Sequence, residues 1–134
     1  MKIILATNNY IHSVAIRVFT WSEWSHAGII MDDGSIIEST AKCGVCRVSM
    51  QEFKNRYTKT IIVEIPNTNG WANRAESQIG KKYDWGAILR FVFRGDWADD
   101  SRWFCFELVA YVSGMYNPKM LDKVTANQLL MVSK

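Results

Sequence analysis

Long apolar runs are missing from this sequence. No stretch approaches the roughly 20 consecutive apolar residues that a membrane-spanning helix needs. The apolar run after Lys2 ends at Ala6, which is too short for the core of a secretory signal peptide. We therefore expect a cytoplasmic protein without a membrane span, and delivery to the cell wall by a route other than a cleaved signal stays open.

Cysteine is scarce, and the number is odd. Three cysteines cannot complete a disulfide framework, so at least one thiol is free. Cys43 and Cys46 form a C-x-x-C motif, but a zinc site normally needs four ligands and no second pair completes one. A thioredoxin-like motif opens a helix, whereas Cys46 leads into a strand pattern. We interpret the motif as a turn around Gly44, and we expect no metal and no cofactor.

A strong charge of either sign is also absent. The net charge is +3, and the basic residues form two short groups, one at 54–59 and one at Lys81 and Lys82. Nucleic-acid binding normally requires a basic stripe or patch, so we do not expect it here. A weak attraction to anionic surfaces, including cell-wall polymer, stays open.

The length and the patterning predict one domain over residues 1–134, of the α+β class, with a small and mostly antiparallel sheet packed against helices. Short β-type runs predict strands at 2–6, 45–50 and 60–65, and a hairpin at 26–39 around the turn signal Asp32-Asp33-Gly34. The other segments are predicted as helices at 10–19, 50–57, 68–78, 87–93 and after the Thr125-x-x-Gln128 capping box, with a loop at 81–85.

Two segments carry apolar residues at helical spacing. In 10–19 the stripe is Ile11, Val14, Ala15, Val18 and Phe19, and His12 lies on another face, where we expect it to be exposed to solvent.

The second such segment, Ser101–Tyr116, begins with a cysteine. Leu108, Val109, Val112 and Met115 follow Cys105 along one helical face, and 99–101 supply acidic and hydroxyl residues that favour a helix start. At a helix N-terminus the dipole and free N–H groups stabilise an anion, so we expect the Cys105 thiol to ionise readily. The alternative is a buried cysteine that acts as a small apolar residue among its aromatic neighbours.

A histidine and a carboxylate fall on the predicted hairpin. His26 opens one strand and Glu38 lies on the other, and counting outward from the turn places them within a residue or two of register. A cysteine hydrolase needs a thiolate, an imidazole that moves the proton, and a polar group that fixes the imidazole tautomer. Cys105, His26 and Glu38 are the candidates for these three roles.

Four short strings in one order resemble the circularly permuted NlpC-like branch of the papain superfamily, in which the histidine precedes the cysteine. The strings are TWSEWSHAGII, DDGSIIEST, GKKYDWGA and WFCFELVA. The resemblance implies a papain-like fold, with Cys105 as nucleophile, His26 as general base and acid, and Glu38 as the third catalytic residue. It implies a substrate-binding position for Tyr83 and places Asp84 near the site.

The function that this resemblance implies is hydrolysis of an amide bond through a thioacyl-enzyme, with a peptide of cell-wall peptidoglycan as one candidate substrate. Two other functions stay open on the same scaffold: an acyl hydrolase or acyltransferase acting on lipids or thioesters, and a binding module without catalysis. The sequence departs from the family at Phe106, where the family commonly has serine, and we expect this ring to narrow the pocket or change its polarity.

Overall fold

A computed structural model describes residues 1–84 and 102–134 of the chain. The predicted helix 87–93, the charged loop 94–100 and the predicted cap residues 99–101 lie outside the described residues.

The centre of the fold is an antiparallel sheet of five strands. Their order across the sheet is β4-β3-β2-β1-β5, and β1 and β2 are apolar along most of their length because both of their faces are covered. The α+β class and the hairpin are confirmed. The strands are β1 (Lys2–Thr7), β2 (His26–Ile30), β3 (Ile36–Thr40), β4 (Gly44–Val48) and β5 (Lys59–Glu64).

Helices pack on both faces of this sheet and at its ends. The Ser49 Oγ caps the second helix by accepting from the Glu52 N–H at 3.1 Å, and the Gln128 Oε1 accepts from the Thr125 N–H at 2.7 Å in the predicted capping box. The helices are α1 (Ile11–Thr20), α2 (Met50–Asn55), α3 (Trp71–Ser77), α4 (Cys105–Ser113), α5 (Ala126–Met131) and a 3₁₀ helix (Pro118–Lys123). None of the helices in the described ranges is long and apolar enough to cross a membrane.

The sheet separates two apolar clusters. The main cluster lies between the sheet and α4, and includes Leu5, Ile29 and Cys105. The small cluster lies on the opposite face, where Ile36 and Phe53 are fully buried. Because side chains alternate along a strand, neighbouring residues of β2 point into different clusters.

Helix α1 forms where predicted, but its apolar stripe does not face the core. Ile11 is 87% exposed and Val18 64% exposed, whereas Ser13 and Ile16 are buried. The side of α1 that faces the sheet carries Ser13, whose hydroxyl bonds the Ser25 hydroxyl just before β2. His12 is exposed, as expected.

The loop predicted at 81–85 contains a short strand instead. Strand β6 (Lys82–Tyr83) pairs in parallel with β7 (Arg102–Trp103), a pairing of two residues that is too short to leave a pattern in the sequence. Backbone bonds also join the segment before β6 to β4, since the Val45 N–H donates to Lys81 O at 2.8 Å and the Gly80 N–H donates to Val45 O at 2.9 Å.

The C-x-x-C motif forms a turn into β4, as predicted, and its two cysteines are joined in a disulfide. Gly44 has a φ of +67°, and a Cβ at this position would collide with Lys81 O, so both the conformation and the space require glycine. Cys105 is the free cysteine, which confirms the inference from the odd number.

Candidate active site

The hairpin brings His26 and Glu38 together. In the β2–β3 ladder Gly28 pairs with Glu38, so His26 lies two positions along the same face of the sheet. Nε2 of His26 is 2.7 Å from Oε2 of Glu38. This contact leaves Nδ1 as the ring nitrogen that can exchange a proton with another group.

Glu38 is buried, and its second oxygen has a partner of its own. Oε1 accepts from Nη2 of Arg56, which follows the C-terminus of α2. Burial alone raises the pKa of Glu38, but the hydrogen bonds and charges of His26 and Arg56 outweigh burial and lower that pKa below its ordinary value. The carboxylate is therefore ionised at neutral pH, and it accepts a hydrogen bond from Nε2–H of the imidazole.

Two aromatic rings cover the imidazole. Tyr57 stacks on His26 with 5.3 Å between ring centroids and 13° between planes, and Phe53 lies 5.7 Å away at 28°. Gly28 makes room for this arrangement, because a Cβ there would lie 2.5 Å from Ile36 Cγ2 and 3.2 Å from Phe53 Cε2. Arg56 also lies over both rings, so hydrogen bonds and ring contacts hold the same group of side chains.

Cys105 is the first residue of α4, and its sulfur lies beside the backbone that carries His26. Sγ is 4.0 Å from the carbonyl oxygen of Ser25, the residue before His26. The backbone N–H groups of Ala27, the residue after His26, and of Phe106 are placed to stabilise a thiolate. The carbonyl and N–H on either side of His26 thus both face the cysteine sulfur.

The expectation that the Cys105 thiol ionises readily is wrong for this conformation. Burial raises its pKa to about 12, and the donors at Ala27 and Phe106 lower it by less than burial raises it. The side chain is 1% exposed and belongs to the main cluster. The helix N-terminus therefore acts on a thiol that desolvation keeps neutral.

A cleft of about 100 Å³ opens at His26. The described residues that line it are mostly polar, and they come from α1 and β6, from the ends of β2 and β3, and from the segments that follow β1 and α2. They include Asn8, His12, Ser13, Ser25, Thr40, Tyr57 and Tyr83. Cys105 is not among them, so its sulfur lies below the surface of the cleft.

Tyr83 lines this cleft, and its ring meets Phe104 edge to face at 6.2 Å. Asp84, the next residue in the chain, is buried. Phe106 differs from expectation: it is fully buried in the main cluster and does not line the cleft, because its ring packs edge to face against Phe104 at 5.5 Å.

Sequence reasoning missed Arg56 and Tyr57 as site residues. Arg56 appeared as one of a small basic group, and Tyr57 as the end of a predicted helix. Their roles depend on how α2 lies on the sheet, for which the sequence carries no local signal. Ser25 and Ala27 act through backbone atoms, which no side-chain motif reports.

A helix-borne cysteine next to a strand-borne histidine, on a sheet packed against helices, defines a papain-like protein in which the histidine comes first in the chain. Comparison with family models supports this: residues 2–131 match the family described as "Permuted papain-like amidase enzyme, YaeF/YiiX, C92 family". The chain belongs to this family, which is one of cysteine peptidases and amidases, and the predicted resemblance to circularly permuted papain-like proteins is confirmed.

A solved structure shares the fold. The crystal structure of metalloprotein yiiX from Escherichia coli O157:H7 superposes with a TM-score of 0.60 at 20% sequence identity, over 85% of this chain and 66% of that one. This chain thus spans 66% of the length of that protein. No curated protein sequence matches this chain.

Proposed function

We propose that this protein is a cysteine amidase in which Cys105 is the nucleophile, His26 the general base and acid, and Glu38 the residue that orients His26. The observation that carries the proposal is the hydrogen-bonded chain Arg56–Glu38–His26, together with the contact of the Cys105 sulfur with the carbonyl oxygen of Ser25, the residue before His26. A buried carboxylate bonded to one nitrogen of an imidazole is the arrangement that fixes the tautomer for proton transfer at the other.

In this proposal the amide displaces the side chains that cover the Cys105 sulfur, and the raised pKa of Cys105 implies that proton transfer accompanies attack. The thiol gives its proton to Nδ1 of His26 as sulfur forms a bond to the carbonyl carbon of the amide. The resulting oxyanion is stabilised by N–H groups at the start of α4 that have no partner within the helix. Glu38 stabilises the imidazolium.

The C–N bond then breaks. Nδ1–H protonates the leaving amine, and the acyl group stays on sulfur as a thioester. Water gives a proton to the neutral imidazole and attacks this thioester, which releases the carboxylic acid and restores the thiol and the neutral His26.

The shape of the cleft favours an amide over a lipid. Its volume is about 100 Å³ and its described lining includes the hydroxyl groups of Ser13, Ser25, Ser39 and Thr40, whereas a fatty acyl chain needs a long apolar wall. Peptides of the cell wall fit this description, and we propose them as the first substrates to test.

A metal is not part of the proposal. The related yiiX protein is described as a metalloprotein. Within residues 1–84 and 102–134 of this chain, no group of three or more His, Cys, Asp or Glu side chains could hold a metal ion. Both oxygens of Glu38 are already bonded to His26 and Arg56, so the described residues do not fit a metal site.

The test is to incubate the protein with peptidoglycan peptide fragments and, separately, with acyl-lipid and thioester substrates, and to search for new amine ends and for an acyl adduct on Cys105 by mass spectrometry. Cys105→Ser keeps nearly the size of the buried side chain, and Lys119→Gln is a surface control. We expect products and adduct from the wild type and from Lys119→Gln, and none from Cys105→Ser. Amide products of equal yield in Cys105→Ser would overturn the proposal, as would no amide product from the whole panel.

A further inference from the structure

A second hollow lies next to the cleft, and lysines form much of its wall. This lysine hollow has a volume of about 400 Å³, and Lys42, Lys81 and Lys82 all line it. Ala41 and Tyr83 line both the lysine hollow and the cleft. A molecule bound at His26 and extending past Tyr83 would therefore enter the lysine hollow.

Among the described residues, the charged side chains that line this region are all lysines. Among the described residues that line the cleft or the lysine hollow, none is Asp or Glu. Glu38 is near the cleft but has no exposed surface, and Arg56 and His26 already bind it. The charges of Lys42 and Lys82 produce a positive potential, which attracts an anion into a concave site.

The backbone that carries these lysines is well anchored. Two backbone hydrogen bonds join the segment 80–81 to Val45 of β4, and Gly44 allows the two chains to touch. The Cys43–Cys46 disulfide closes the turn that follows Lys42 onto the same strand. Lys42 and Lys82 are both exposed, and each extends from a fixed backbone position, which reduces the entropy lost when they bind a ligand.

We propose that the lysine hollow is a subsite for an anionic group of the substrate, a carboxylate or a phosphate, located on the side of Tyr83 away from His26. This inference rests on the proposed amidase function and narrows its substrate class to amides that carry such a group near the cleaved bond. Lys42 and Lys82 are specificity residues in this proposal, and they take no part in the bond-breaking steps.

Binding is tested first, without any need for catalysis. Glutarate, inorganic phosphate and uncharged glutaramide are titrated into ¹⁵N-labelled protein, and the amide resonances of Gly44, Gly80 and Tyr83 are followed by NMR. We expect saturable shifts with glutarate or with phosphate, and the stronger of the two identifies the anion. Glutaramide should give none. In the double variant Lys42→Gln/Lys82→Gln the affinity should fall about fivefold or more, because each exposed ion pair contributes modestly.

The matched control is Lys119→Gln/Lys123→Gln, which removes the same charge from the 3₁₀ helix. Equal shifts with glutaramide, shifts that do not saturate, or the same loss of affinity in the control variant would overturn the inference.

Kinetics then separate this inference from the proposed function. With an amide substrate and its analogue in which carboxamide replaces the carboxylate, we expect Lys42→Gln/Lys82→Gln to raise KM for the charged substrate and to leave kcat unchanged. Anion binding without any hydrolysis would contradict the amidase function and leave the subsite standing. Hydrolysis at the same rate with charged and uncharged substrates would contradict the subsite and leave the amidase function standing.

Discussion

Nε2 of His26 lies 2.7 Å from Oε2 of Glu38, a carboxylate with no exposed surface. This pair joins two strands through side chains, and it also fixes which nitrogen of the imidazole remains for chemistry. A surface ion pair of the same length would contribute little, whereas burial makes both the orientation and the charge of this pair sensitive to any change in either partner.

Replacing Glu38 by Gln should reduce kcat/KM by about 10²- to 10⁴-fold, since an amide neither stabilises the imidazolium nor enforces the same tautomer. It should also lower the free energy of unfolding by about 2–4 kcal/mol, because Arg56 loses its buried charged partner. Arg47→Gln, which breaks the exposed pairs with Asp33 and Glu76, is the control and should cost less than about 1 kcal/mol. Similar costs for the two variants in urea denaturation would contradict the buried network.

The same carboxylate predicts a pH dependence of stability. The pKa of Glu38 is lower in the folded protein than the 4.5 of an ordinary glutamate, so the native state holds fewer protons than the unfolded state as the pH falls. The stabilisation is complete above about pH 4.5 and is lost as the pH drops through the folded pKa. Urea denaturation of the wild type and Glu38→Gln should be compared between about pH 7 and about pH 3. The difference between their free energies of unfolding should become smaller at the acid end of this range. A constant difference would mean that Glu38 does not titrate with a depressed pKa.

Cys105 should react slowly with iodoacetamide in the folded protein. Burial raises its pKa from 9.0 to about 12, so at pH 8 its thiolate fraction is about a thousandfold below that of an ordinary cysteine. The rate of alkylation should rise with pH and should jump when urea unfolds the protein. Mass spectrometry of the adduct measures both. Rapid labelling of the native protein at neutral pH would instead indicate that the sulfur is ionised and accessible in solution.

The ring of Tyr57 should matter more than its hydroxyl. Tyr57→Phe keeps the surface that stacks on His26 and should leave kcat within about twofold, while Tyr57→Ala removes it and should lower kcat about tenfold as the imidazole gains freedom. Equal activity in the two variants would show that the stacking does not position His26. Steady-state kinetics on the substrate found for the wild type provides the comparison.

The orientation of α1 predicts that a charge at Val18 costs much less stability than a charge at Ile16. Val18→Asp changes an exposed position and should shift the unfolding free energy by no more than about 0.5 kcal/mol. Ile16→Asp places a charge on a buried position and should cost about 3 kcal/mol or more. Thermal and urea denaturation measure both. A large cost for Val18→Asp would mean that the apolar stripe is covered after all.

The contact between His26 and Glu38 was predictable because a hairpin is local. The turn at 32–34 sets the register, and the register places the two side chains on one face. Cys105 is far from both in the chain, so only the resemblance to a known family placed it in the same site. The fold class followed in the same way from strand runs that come close together in the sequence.

The rest of the site depends on packing that the sequence does not encode locally. The spacing of Ile11 and Val18 shows which side of α1 is apolar, but the opposite side, with Ser13 bonded to Ser25, faces the sheet. The helix start at Cys105 predicted a lowered thiol pKa, but burial of the side chain raises that pKa instead. Local pattern fixes the position of a group, whereas its solvent exposure is a property of the whole fold.

The residues that pack against the two reacting groups lie on opposite faces of the sheet. Cys105 belongs to the large cluster on one face, while the ring of Phe53, in the small cluster on the other, stacks on His26. Trimming Phe53 should therefore disturb the proton acceptor and leave the sulfur in place, and trimming Leu108 should do the opposite. Substitutions on the two faces of the sheet can in this way adjust the base and the nucleophile independently.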